Sequence, residues 1–145
     1  MAVAKVVPDF VLDNSIVMAW SFEDETSAYA DAVLDRLTVG GAVVPALWPL
    51  EVANALLMGE RRKCSTETQT IRWIDILNRL PIVIDDETTI RAWNDTLSLA
   101  RGQKLSAYDA TYLELAMRRG LPLATLDERL KTAARAVGVM IYGID

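Results

Sequence analysis

The sequence predicts an α/β fold: one domain spanning residues 1–145, with a five-stranded, mainly parallel sheet flanked by helices on both faces. Three observations predict it. Short apolar runs alternate along the chain with segments of helical periodicity, the pattern of βαβ units. The 145 residues suit one domain with a real core, and 52% of them are apolar, too many for a disordered chain. No repeat, low-complexity tract or linker divides the chain.

The elements follow in order. "DFVLD" (9–13) ends a first strand. Residues 26–38 carry apolar positions at helical spacing, and Gly40-Gly41 stops them. "AVVPA" (42–46) is a second strand. Pro49 opens the next helix, "LEVANALLMGERR", where its missing N–H costs nothing. A helix over 66–80 surrounds Trp73, Ile74 and Leu77, and "PIVID" (81–85) is a third strand. Thr88 to Ala100 is helical, "RGQKLS" a loop, and 106–119 a helix. "LPLATL" (121–126) is a fourth strand, Asp127 to Val137 a helix and "VMIYG" (139–143) a fifth strand.

Composition removes several chemistries. There is no histidine and a single cysteine, Cys64. Ser-His and Cys-His nucleophiles, internal disulfides, and His- or Cys-based metal sites are thereby excluded. The net charge of −5 argues against broad nucleic-acid affinity, though not against a local basic rim. No apolar run approaches a membrane span, and "MAVAKVVPDFVLD" lacks the apolar centre of a signal peptide. The expectation is a cytoplasmic protein with no membrane partner.

The helix "SAYDATYLELAMRR" (106–119) carries a misplaced charge. Glu114, Arg118 and Thr111 gather on one side, and Tyr112, Leu113, Ala116 and Met117 on the other. Asp109 falls within the apolar side, where a carboxylate is costly unless something compensates it. In parallel sheets ligands bind beyond the carboxyl ends of the strands, where the following helices begin. Four acids belong to that edge: Asp13 after the first strand, Glu51 in the turn after Pro49, Asp109 after Ser106, and Asp127 after the fourth strand.

Each acid has a plainer reading. Ser106–Asp109 and Thr125–Glu128 both fit a capping box. Asp13 fits an Asx-turn, and Glu51 suits a helix N-terminus through the macrodipole. Against these, Asp109 lies on an apolar face, and Glu51 with Asn54 is the only polar pair in "PLEVANALLM". Clustered carboxylates repel one another unless a cation joins them. Oxygen ligands without His or Cys point to Mg²⁺ or Mn²⁺.

"VLDNSIVMAWS", "PALWPLEVANAL", "LSAYDATYLELA" and "PLATLDERLKTAA" resemble, in order and spacing, the successive motifs of PIN-domain ribonucleases, specifically the VapC-type toxins of toxin–antitoxin pairs. The resemblance runs from about Phe10 to Val139. It implies that Asp13, Glu51, Asp109 and Asp127 are the catalytic, metal-binding acids, with Ser15 and Thr125 as supporting hydroxyls. It further implies Mg²⁺- or Mn²⁺-dependent RNA cleavage, homodimerisation, and neutralisation by a VapB-like antitoxin. Asn14 departs from the family's usual Ala or Thr.

Among the basic residues, Lys104, in the loop before the Asp109 helix, is the RNA-binding candidate. Arg61, Arg62, Lys63, Arg101, Arg118 and Arg119 also qualify, although helix C-terminal cations complementing the dipole are an equal reading for four of them. Trp20, Phe22, Trp48, Trp73 and Trp93 are read as core or interface anchors. Apolar residues around Leu56, Leu57 and Trp73 are candidates for a homodimer interface, or else core. Two other functions compete with the nuclease. One is a non-catalytic PIN-like module binding RNA or protein. The other is a receiver-like phosphoryl-transfer domain using Asp85 and Asp86, but the last strand lacks the Lys it needs.

Overall fold

The computed structural model describes residues 6–143. The leader-peptide reading draws on residues 1–13, of which 1–5 lie outside that range. The strands are β1 (Phe10–Leu12), β2 (Ala42–Val44), β3 (Ile82–Ile84) and β4 (Leu123–Ala124). The helices are α1 (Asn14–Ser21), α2 (Ala28–Arg36), α3 (Trp48–Arg61), α4 (Glu67–Arg79), α5 (Thr88–Arg91), α6 (Leu97–Gln103), α7 (Ala107–Arg119) and α8 (Glu128–Ala136). A 3₁₀ turn at Glu23–Glu25 follows α1, and a π-helical turn at Ala92–Thr96 joins α5 to α6.

The four strands form one parallel sheet in the order β3-β2-β1-β4. β1 lies inside, pairing Phe10 with Ala42 on one side and Leu12 with Ala124 on the other. Every residue of β1, β2 and β4 is buried. Strands covered on both faces read as continuous apolar runs, which is why "FVL" and "AVV" stand out in the sequence. β3, at the edge, is only partly covered.

A five-stranded sheet is not formed. Residues 139–143 make a single parallel bridge, Leu123 to Ile141, through Leu123 N–H to Met140 O and Tyr142 N–H to Leu123 O. β4 is too short to support more. Pro122 precedes it and has no N–H to give. Gly138 and Gly143, both at positive φ, turn the chain on either side of the bridge.

The helix α1 has no counterpart among the predicted elements. "NSIVMAWS" is polar only at its ends, with the unbroken apolar run Ile16–Trp20 between, so no polar face marks its period. Ile16, Val17, Ala19 and Trp20 are buried, and the Trp20 indole N–H donates to Ala30 O at 2.7 Å, fixing α1 against α2. α7 is buried from Ala110 to Ala116, Thr111 and Glu114 included. Its Glu114 side is therefore no solvent face, whereas Met117, expected inward, is exposed. Gly120 ends α7 in the left-handed conformation, its N–H returning to Ala116 and Met117 carbonyls.

Candidate active site

β1 is the switch point of the sheet, because the chain leaves it for β2 on one side and reaches β4 on the other. The carboxyl ends of β1 and β4 meet there, at the place where such sheets bind ligands. Asp13 follows β1 and Thr125 follows β4, and the two ends are stitched together. Asp13 N–H donates to Ala124 O at 3.0 Å, and Leu126 N–H donates to Ser15 Oγ at 2.9 Å.

Asp13 stands at the N-cap position of α1 without capping it. Its side chain, 5% exposed, instead accepts two hydroxyl protons on Oδ2, from Ser15 and Thr125, each at 2.7 Å. Burial pushes its pKa up and the Asp109 charge adds to this, against the pull of the two hydroxyls. Thr125 thus serves Asp13 and does not open a capping box with Glu128. The α8 N-cap is Asp127, whose Oδ1 accepts from Arg129 and Leu130 N–H at 2.9 and 3.1 Å.

Glu51 lies in the first turn of α3, half-buried. Its Oε1 accepts a short hydrogen bond from the Tyr112 hydroxyl of α7. Burial raises its pKa, and the Asp13 and Asp109 charges raise it further. Asn54, its apparent polar companion, is exposed and apart from these contacts. Asp109, in the first turn of α7, is also half-buried. Its N–H donates to Ser106 Oγ at 3.1 Å, capping the helix. Burial and then the Asp127 charge raise its pKa.

The four acids are thereby within one another's electrostatic reach: Asp13 and Glu51 feel Asp109, Glu51 feels Asp13, and Asp109 feels Asp127. Among the described residues, Arg129 is the cation that acts on Asp109. The sequence reading passed it over. Its signal was an Arg in the first turn of a helix, the end the macrodipole makes unfavourable for a cation. Tyr112, placed among core residues, was passed over too. A buried phenol needs a partner for its hydroxyl, and Asp109 lies one turn away on the same face.

Lys104 is exposed, forms no ion pair among the described residues, and ends α6 at φ 56. Arg118 is not available to RNA. Its guanidinium binds Asp85 at 2.7 and 3.0 Å and Glu114 at 2.8 and 3.1 Å, and reaches Glu87 at 3.4 Å. Trp93, read as an anchor, is 90% exposed.

Among the described residues, the one group of three carboxylates with oxygens all within 4.8 Å is Asp85, Asp86 and Glu87, not the quartet. Two of its members, Asp85 and Glu87, are already answered by cations. Burial pushes Asp85 up, but Arg118 and Thr88 overcome it and hold its pKa below the ordinary range. Arg91 pairs with Glu87 at 2.9 Å. A receiver-like role for Asp85 and Asp86 has no free carboxylate at Asp85 to work with.

The quartet's donor set fits a divalent cation. It offers oxygen ligands only, none of its acids forms a salt bridge among the described residues, and its wider spacing suits Mg²⁺, which keeps several waters and takes one or two carboxylates directly. No helix among the described residues is long and apolar enough to cross a membrane.

The chain is similar to two solved structures over 92% of its length. PAE2754 from Pyrobaculum aerophilum shares 21% identity, with 83% of that chain covered and a TM-score of 0.66. FitAcB from Neisseria gonorrhoeae shares 17% identity, with 96% of that chain covered and a TM-score of 0.63. No curated protein sequence matches the chain. At such identities the likeness concerns the fold: a parallel sheet flanked by helices. Residues 10–136, from β1 to the end of α8, match the PIN domain model, and the chain therefore belongs to the PIN domain family.

Proposed function

We propose that the protein is a divalent-metal-dependent ribonuclease that hydrolyses RNA phosphodiester bonds, the toxin component of a toxin–antitoxin pair acting in the cytoplasm. One observation carries the reading. Four carboxylates from separate elements share one sheet edge with raised pKa values at three of them, and among the described residues no salt bridge involves any of the four. A fold that needed only helix caps has no use for that arrangement.

In this reading Asp13 and Asp109 hold the ion, directly or through its waters. Glu51 and Asp127 complete the site, orienting water or holding a second ion. Ser15 and Thr125 fix the Asp13 carboxylate. Bound Mg²⁺ or Mn²⁺ supplies Lewis acidity toward the phosphoryl oxygens and a water acidic enough to attack near neutral pH. Lys104 and Arg129 are the cations we assign to the RNA backbone. The purified protein should cleave RNA with Mg²⁺ or Mn²⁺ and not with EDTA, and Asp13→Asn should remove the cleavage. Metal-independent cleavage, or undiminished cleavage by Asp13→Asn, contradicts the assignment.

The partners rest on the family resemblance. Expression alone should slow growth, and co-expression of a small VapB-like antitoxin encoded beside the gene should restore it. We also propose a homodimer. Leu56 is core, but Leu57 is exposed, Trp73 half-buried, and α4 has no fully buried residue, so the α3–α4 surface keeps apolar area for a second copy. A monomer in sedimentation at micromolar concentration removes the dimer and leaves the enzyme untouched.

A further inference from the structure

We propose that Tyr112 is a positioning residue for Glu51. Its hydroxyl fixes one carboxylate oxygen, so that Glu51 presents the other to the metal site as a single, oriented ligand. The inference rests on the reading of the acid quartet as that site.

The geometry is specific. The Tyr112 ring is fully buried in the core on α7, while Glu51 opens α3, and the two meet although they lie 61 positions apart in the chain. Oε1 accepts the hydrogen bond from the hydroxyl, and no other hydrogen bond to the Glu51 side chain occurs among the described residues. A buried phenol needs an acceptor, but a backbone carbonyl would serve that need. The acceptor here is an acid of the quartet. Asp109 sits one turn before Tyr112, and the hydroxyl lies within electrostatic reach of Glu51, Asp13 and Asp109 together.

Orientation matters more for Glu51 than for the aspartates, because its side chain has one more rotatable bond. A neutral hydroxyl orients without cancelling charge. An Arg in the same place would have answered the carboxylate and taken it from a cation. Ser15 and Thr125 treat Asp13 in the same way, through Oδ2. Outer groups that hold metal ligands in this manner typically contribute 10- to 100-fold in affinity.

The test is a double-mutant cycle on metal binding. Mn²⁺ affinity is measured by calorimetry for wild type, Tyr112→Phe, Glu51→Gln and the double variant, with circular dichroism confirming the fold of each. Tyr112→Phe keeps the buried ring. It should weaken Mn²⁺ binding by roughly 10-fold in the wild-type background and by nothing further in Glu51→Gln. Equal weakening in both backgrounds, or none in either, overturns the proposal, as does a Tyr112→Phe protein that fails to fold, since the hydroxyl would then belong to the fold. If Glu51→Gln weakens binding and Tyr112→Phe does not, the positioning role alone fails. If Glu51→Gln itself leaves Mn²⁺ binding unchanged, the reading of the site fails with it.

Discussion

Two groups of acids in this protein are buried to a similar degree and held in opposite ways. Asp85 and Asp13 are 4% and 5% exposed. Around Asp85, the Arg118 fork and Arg91 gather Asp85, Glu87 and Glu114 into an ion-pair network. Around Asp13, the side-chain donors among the described residues are neutral hydroxyls, from Ser15, Thr125 and, for Glu51, Tyr112, with the Ser15 backbone N–H also acting on Asp13. Arg118 lowers the pKa of Asp85, whereas burial and mutual repulsion raise those of Asp13, Glu51 and Asp109. The difference teaches how to tell structural acids from site acids. In the proposed reading, a structural cluster carries its own counter-charge, and a site cluster is oriented by neutral hydroxyls without a salt bridge to cancel it.

Removing the counter-charge should have the largest effect. Arg118→Met leaves Asp85 and Glu114 buried without a partner and should cost about 3–5 kcal/mol of folding stability, read by urea denaturation. A loss under about 1 kcal/mol would mean the network is solvated and the contrast false. At the other cluster the loss should fall on activity. Asp109→Asn should reduce RNA cleavage by roughly 10²–10³-fold, comparable to about 2.7–4 kcal/mol of transition-state stabilisation, with no comparable loss of fold stability.

A smaller effect separates the clusters by the sign of their pH dependence. With EDTA present, the raised pKa of Asp109 means that the folded state binds more protons than the unfolded chain just above the ordinary value of 3.8. Stability is then lost as pH rises through that window. The advantage of Asp109→Asn over wild type should therefore grow between about pH 4 and neutrality. Asp85 has a lowered pKa, so its contribution is complete above the ordinary value and is lost only as pH falls below it. Arg118→Met removes the cation that overcomes burial at Asp85, so its deficit should grow as pH rises from about 4 toward neutrality, where Asp109→Asn instead gains an advantage. An Arg118→Met deficit that shrinks over that range would undo the distinction. Smallest of all, Arg79→Ala breaks a pair with Asp75 that is largely exposed on both sides. It should change stability by about 0–1 kcal/mol; a larger loss would show that exposure does not set the worth of these pairs.

The alternation of strands and helices was legible because buried parallel strands must be apolar throughout. The acids of the candidate site stood out for a related reason, since a carboxylate at a strand end or on an apolar face breaks the pattern around it. What escaped was cooperative over distance. α1 hides its period by being buried on most sides. Residues 139–143 look like a strand, yet a strand forms only if its neighbour is long enough, and β4 spans two residues. Glu114 and Arg118, four residues apart, read as a solvent-facing pair because Asp85, the second acid on Arg118, meets it only in three dimensions. Tyr112 is invisible as a site residue for the same reason, its acceptor lying 61 positions away.

The most direct test of the unanswered-charge account is thermal melting with and without Mg²⁺ or Mn²⁺, for wild type, Asp109→Asn and Asp109→Ala. Metal at about a hundred times its dissociation constant should stabilise the wild type by about 2.7 kcal/mol. Without metal, Asp109→Asn should melt no lower than wild type, because repulsion is relieved, and both variants should gain less from metal. If both variants melt lower than wild type and all three respond equally to metal, Asp109 is a helix-capping residue worth roughly 1 kcal/mol, and the account of the site is wrong.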